Sequence, residues 1–493
     1  MYLSQKGRIR MRTLTAHLKQ NVHLIQQRFH TKDAIRSLSV TIGLDIHAEL
    51  LYLPNTVDEQ KIHSFLLAPI QQLVKQSVTY DQLGSIFKDG EPSVAYTVEE
   101  CVDGLVNGRA LLMFNKEEGY LFNCSNWRVR SVEVPLSSSV YEGPASGLTE
   151  DISVNLNLLR NYYRSPNLVI ETLSIGSEAK KEISILSVHG VSNPAIVEEV
   201  KARLNNINVS QAIINQLATD ALEGDGLLFP RTMSIDRPDA CAMALAAGRV
   251  VILVEGSPLA LLAPSIFYHF FQNQDDYLSD FGKFGSRPLR YSYFFIATFT
   301  PAIIVAIERF HLDLIPRDLH EQLIKTHDTL APFTIELLFV ILLMQVIMDG
   351  SYRLPGNVIF AVTFIGTMLI SDVATDVNLF HPVTIVIIGI CYISSFPVLH
   401  RGLLSPIFFM RLSFIILAHF FGFAGLFLGT TVLLILMAKL HSIGTPYLYP
   451  FLPFQPDKWK DTLFRGGLQR VINHPNPLPF NRHQAKANRK QHI

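Results

Sequence analysis

Residues 412–438 read LSFIILAHFFGFAGLFLGTTVLLILMA, without a single Asp, Glu, Lys or Arg. A helix needs roughly 20 apolar residues to cross the hydrocarbon core of a bilayer. The stretch is therefore a membrane span, and Gly422, Gly425 and Gly429 allow it to bend or pack closely. Residues 382–399 are equally free of charge. Working outward, residues 291–307, 333–348 and 358–376 complete an apolar block. Before Tyr291 the sequence is mixed and ordinarily charged, so the chain changes solvent near that residue. The fold class that follows is an α/β soluble head of two related subdomains, then an α-helical transmembrane domain of about four spans, or five.

The whole chain hides this layout, because 42 basic and 42 acidic side chains average to zero. No basic excess points to nucleic acid. Cys101, Cys124, Cys241 and Cys391 have no CxxC or ligand-like spacing, so neither a disulfide framework nor a zinc site is indicated. Lys6, Arg8, Arg10, Arg12 and Lys19 make the start basic, but no continuous apolar core of a signal peptide follows. The head is accordingly expected in the reducing cytosol, with residues 1–35 a solvated, basic helical arm. Contact of that arm with anionic lipid is the alternative.

The head repeats a pattern. Gly108-Arg109 precedes an apolar run, a turn over residues 115–119 and a second run at 120–122. Gly248-Arg249 precedes a matching run, a turn at Glu255-Gly256-Ser257-Pro258 and a second run at 259–262. Run, turn and run signal a β-hairpin. Upstream, residues 39–53 and 182–190 read as strands, each leading into a helical stretch at 58–75 and 194–204. Two subdomains about 140 residues apart result, at 36–140 and 167–285. Between them, 141–166 is a connector holding Gly143, Pro144 and Gly147, with Thr149 as the expected cap of a helix over 151–163. The transmembrane domain occupies 286–445 and a basic, proline-rich tail 446–493.

Topology strains. A cytosolic head and a tail with eight basic residues against two acids both belong inside, which requires an even number of spans. Four result if the roughly 16 apolar residues at 333–348 are re-entrant or interfacial, leaving Arg401 and Arg411 outside. Five correct those arginines but misplace the tail. The tail is the larger violation, so four is the preferred scheme. Pro301 is expected to kink the first span.

Enzyme templates find no P-loop, GxSxG, HExxH or Rossmann fingerprint, and the histidines are scattered. Neither catalysis nor a cofactor is expected. Embedded acids are better candidates. Asp372 and Asp376 share one helix face, and ionisable groups in a bilayer usually face a water-filled path or a partner. A ring of such acids favours cations. The alternative ends that helix near Ile370 and leaves both acids interfacial. Glu336 is the third candidate for an ion path or gate, or a simple first-turn acid favoured by the helix dipole.

A series of motifs runs along the chain. It begins with Gly143-Pro144, then Asp236-Arg237-Pro238-Asp239, then Gly248-Arg249 through Gly256-Ser257-Pro258. It continues with Phe310-His311 and Ile315-Pro316, Pro332-Phe333 with Glu336, Arg353-Leu354-Pro355 and Met410-Arg411. Ser442-Ile443-Gly444-Thr445-Pro446-Tyr447 closes the series, which covers roughly 35–475. Taken in order, these motifs resemble the A subunit of GerA-type spore germination nutrient receptors. The resemblance implies a multi-pass protein of the spore inner membrane, acting with a permease-like B subunit and a lipoprotein C subunit. It also implies a homo-oligomer that conducts ions when a nutrient binds, the B subunit being the nutrient site. The chain departs from the family at Glu142, where an Arg usually precedes Gly-Pro, and near 345–349, where Gln345, Met348 and Asp349 replace an amphipathic pattern. It departs again in the next span, where Phe360, Val362 and Phe364 replace small residues and Asp372 and Asp376 are added. A solute transporter and a membrane-anchored scaffold are the competing readings, the first suggested by broken helices and embedded acids.

Overall fold

The computed structural model describes residues 12–31, 35–44, 46–73, 77–87, 90–127, 144, 146–176, 178, 180–207, 215–224, 228–272, 286–314, 332–351, 380–397, 400–455, 459 and 462–463. They fall into two compact units: the head, and an apolar helical unit that also holds 228–231 and 265–272.

The head begins with α1 (Leu18–Gln26), β1 (Arg36–Ile42) and β2 (Ile46–Tyr52). The stretch 39–53, read as one strand, is thus a hairpin, reversed at Gly43, whose φ of +64° suits a residue without Cβ. A helical segment over 59–72 follows, then β3 (Ser93–Ala95), α2 (Val98–Val106), β4 (Ala110–Phe114) and β5 (Gly119–Phe122). The sheet runs β1-β2-β4-β5-β3 with every neighbour antiparallel. All five residues of β4 are buried because both faces are covered. Ala110, Leu112 and Phe114 pack with Ile62, Leu66 and Phe87, whereas Leu111 and Met113 pack with Leu18, Ile25 and Leu105. That explains a continuous apolar run where a one-sided sheet would alternate. The helix of the expected arm therefore contributes Leu18 and Ile25 to the core. Thr97 and Glu100 close a capping box at the start of α2.

The second subdomain comprises α3 (Ile152–Tyr162), β6 (Leu168–Ile175), β7 (Lys181–Val188), α4 (Pro194–Asn205), α5 (Asn215–Glu223), β8 (Met233–Ile235), α6 (Pro238–Ala246), β9 (Val250–Val254) and β10 (Ala260–Ala263). Its sheet, β6-β7-β9-β10-β8, has the same order and is likewise antiparallel. The likeness reaches single bonds. Gly108 and Gly248 both have positive φ, and a Cβ on either would press on a carbonyl oxygen, of Thr56 at 2.9 Å and of Val191 at 3.0 Å. Asn21 clamps Thr15 (backbone N–H to Oδ1, 3.0 Å) as Asn155 clamps Thr149 (2.8 Å). Thr149 is thus held by α3 rather than capping it. The cap is Asp151, whose carboxylate accepts from the Ser153 amide at 2.8 Å. The subdomains are joined by α3, whose Asn157 donates to the carbonyls of Asn55 and Asn126.

Ile252 is fully buried in β9. Ile252→Ala should cost about 2–5 kcal/mol, through lost transfer energy and a cavity. Thermal unfolding of the purified head would show a lowered midpoint. Burial also pushes the Cys101 thiol up to about 12 and the Cys124 thiol to about 11, keeping both protonated near neutrality. Because thiolates react and thiols do not, iodoacetamide should label native Cys101 and Cys124 about 100-fold or more slower than the unfolded chain. Mass spectrometry after timed labelling would measure this.

The second unit contains α7 (Ser286–Phe310), α8 (Phe333–Ser351), α9 (Pro382–Ser395) and α10 (Leu404–Lys439). Arg287–Phe310, Phe333–Gly350 and Leu404–Lys439 are long and apolar enough to cross a membrane, whereas Val383–Ser395 is shorter. The expected span at 358–376 lies outside the described residues. α8 has 19 residues, so the stretch read as about 16 is extended to Ser351. α7 runs unbroken through Pro301.

α10 is interrupted at Gly422, with φ +59° and ψ −138°. A Cβ on Gly425 would collide with the carbonyl oxygen of Leu417, and one on Gly429 would lie 2.8 Å from the Phe414 ring. Residues eight to fifteen positions apart touch only if the chain doubles back. Residues 404–421 and 423–439 are therefore antiparallel helices, each about 25 Å long at 1.5 Å per residue. After them, β11 (His441–Ser442) and β12 (Thr445–Pro446) form a hairpin turning at Ile443 and Gly444, both with positive φ.

Candidate functional site

Polar groups inside the apolar unit collect around α9. Glu336 stands in the first turn of α8, as expected, with 2% of its surface exposed. Its Oε2 accepts from the His381 backbone N–H at 3.1 Å and from the Thr384 hydroxyl at 3.3 Å. Oε1 has no hydrogen-bond partner among the described residues. His381 is the N-cap of α9, so the carboxylate faces the positive end of that helix. Such placement favours an anion by about 0.3–1 kcal/mol, more where partly buried. Close by in sequence, Thr334 bonds His419 of α10 at 3.0 Å.

At the other end of α9 lies Arg411, a cation expected between two spans. Arg411 is inside α10, 2% exposed. Its Nε donates to the Ala297 carbonyl at 2.8 Å and its Nη2 to the Ser395 hydroxyl at 3.3 Å. The guanidinium lies 4.7 Å from the Tyr392 ring centroid, and the Tyr392 hydroxyl donates to Ile341. Hydropathy ends a span at an arginine and cannot register the Ala297 carbonyl in α7, 114 positions away, that accepts from this one. Only the neighbouring Ser395 and Tyr392, three apart near the end of an apolar run, hint at its partners. Thus α9 has a buried acid at its amino end and a buried cation at its carboxyl end, both matching its dipole.

The other family-motif residues, where described, make local contacts within their own unit. Arg237 is buried and grips Asp239 with two bonds, 3.1 and 2.8 Å, while Pro238 opens α6. Arg249 donates to the Pro264 carbonyl at 3.0 Å. The Gly256 amide bonds the Glu150 carbonyl at 3.0 Å. Pro446 lies in β12, opposite His441, and the buried Tyr447 takes the Phe267 amide on its carbonyl at 3.0 Å. Gly143, Pro316, Arg353, Pro355, Asp372 and Asp376 lie outside the described residues, and Pro144 has no regular structure.

A duplicated α/β head followed by apolar helices that bury an acid and a cation defines a membrane protein with a soluble head. The chain belongs to the Bacillus/Clostridium GerA spore germination protein family, whose model matches residues 23–476. Spore germination protein KA of Bacillus subtilis (strain 168) is 29% identical over 440 residues, 87% of this chain and 80% of that protein. Spore germination protein GerQA of Bacillus cereus is 28% identical over 435 residues, covering 86% of each. The uncharacterized membrane protein YfkQ of Bacillus subtilis (strain 168) is 25% identical over 485 residues, 97% of this chain and 94% of that one. Among solved structures, the N-terminal domain of the A subunit of the Bacillus megaterium spore germinant receptor GerK3 matches with TM-score 0.41 and 24% identity, covering 52% of this chain and 98% of that domain.

Proposed function

We propose that this chain is the A subunit of a spore germinant receptor that answers a nutrient by initiating germination. In this reading it sits in the spore inner membrane with its head in the cytosol, beside a permease-like B subunit and a lipoprotein C subunit. Its apolar unit oligomerises to form or gate an ion path, with Glu336, Asp372 and Asp376 as the acids that tune it. The observation that carries the reading is the family match across both head and apolar helices, over residues 23–476. The buried Glu336, with one oxygen unpartnered among the described residues, supports an ionic role. Physically, a ligand bound in a partner biases a two-state assembly in proportion to its affinity difference between the states. The family gives no reason to expect an enzyme.

The test is ion release from nutrient-treated spores carrying Asp372→Asn with Asp376→Asn. A strong reduction, with normal subunit levels, is expected; unchanged release removes those acids from the path. Proton- or sodium-coupled solute uptake by the isolated chain in vesicles would favour the transporter reading instead.

A further inference from the structure

The end of α9 borders a cleft of about 290 Å³ walled by α8, α9 and α10. Its polar lining comprises Arg411, Asp349, Gln345, Tyr392, Ser395 and Ser405. The volume is at the small end of the range for ligand pockets. Arg411 reaches it from a buried position, where its described partners, the Ala297 carbonyl, the Ser395 hydroxyl and the Tyr392 ring, are all neutral. Among the described residues no carboxylate lies within ion-pair distance of it. A buried cation with neutral partners is costly and gains from a negative group brought to it. Asp349 lies on the same cleft, exposed, and accepts from the Gln345 amide at 3.0 Å. A plain anion would meet repulsion from Asp349, and a plain cation repulsion from Arg411.

We infer that this cleft binds a small zwitterion, with its oxyanion on Arg411 and its ammonium group on Asp349. Neutral Ser395, Ser405 and Gln345 are placed to hydrogen-bond the remainder, and the Tyr392 face supports the guanidinium. The shared chemistry, an oxyanion linked to an ammonium group, occurs in free amino acids and in the phosphoethanolamine lipid headgroup. This binding is a property of the chain itself and does not depend on the receptor reading.

Purified full-length chain in phosphatidylglycerol nanodiscs would be titrated with glycine, 4-aminobutyrate, acetate and methylammonium, and compared with chain in phosphatidylethanolamine nanodiscs. Saturable binding of a free zwitterion, at least 10-fold tighter than acetate or methylammonium, is expected if the source is a solute. If the source is lipid, phosphatidylethanolamine raises the unfolding temperature and the free zwitterions do not. Arg411→Lys should weaken either effect at least 10-fold. Because that change can also disturb packing, the exposed Asp349→Asn is the deciding variant. It should leave the fold intact, abolish the preference for zwitterions and bring acetate to equal or better affinity. No saturable binding and no lipid effect, or a preference unchanged by Asp349→Asn, overturns the proposal.

Discussion

Gly425→Leu should abolish accumulation of the folded membrane unit, whereas Gly389→Ala should leave it intact. At Gly425 even the first carbon of a side chain collides with the backbone of Leu417, and backbone cannot move aside as a flexible side chain can. Leucine would have to separate two helices whose contact depends on the missing Cβ. Overpacking a close contact typically costs about 1–3 kcal/mol, more where the obstacle is main chain. At Gly389 nothing lies within 4 Å of the added carbon, and alanine favours a helix by about 1 kcal/mol over glycine. The amount of chain in membranes after solubilisation, and its elution as a single species, would check both. Normal accumulation of Gly425→Leu would show that residues 404–439 do not double back.

Glu336→Gln should lower nutrient-triggered ion release from spores at least 10-fold while leaving subunit levels unchanged. The amide oxygen of glutamine can still accept from the His381 amide and the Thr384 hydroxyl, so the packing of α8 on α9 is retained. Only the charge is removed. A residue that serves purely to cap α9 would tolerate the exchange at little cost. Germination assays, with immunoblots of spore membranes, separate the two roles; full ion release would leave Glu336 structural.

Much of the head was legible because its signals are local. The hairpins at 110–122 and 250–263 announce themselves as apolar run, turn and apolar run, and the glycine that opens each is needed for positive φ. The edge strands β3 and β8, of three residues each, have too little pattern to be read. Residues 39–53 passed for one strand because Gly43 supplies the turn without interrupting the apolar alternation for long. In the membrane unit the glycines of α10 were readable as places to bend or pack, and they do both. Arg411 was not readable. Its charge ended the apolar window, while Ala297 and Ser395, which make it tolerable, are 114 and 16 positions away. The contact of Glu336 with His381 spans 45 positions and is equally invisible to periodicity.

The reversal at Gly422 also brings the two ends of α10 to one end of the helix pair. A helix that doubles back returns the chain to the face it left, so Leu404 and Lys439 lie on one side whether the pair crosses the bilayer fully or only dips into it. Leu403 just before the pair and Leu440 just after it therefore lie at the same end of it. Arg411 drops out of the count, since it is held inside helix α10. The conflict between the two arginines and the basic tail came from treating residues 412–438 as a single crossing. With that stretch folded in two, residues 404–439 leave the chain at the end where they received it, and a count of crossings that treats them as one rod assigns one turn too many.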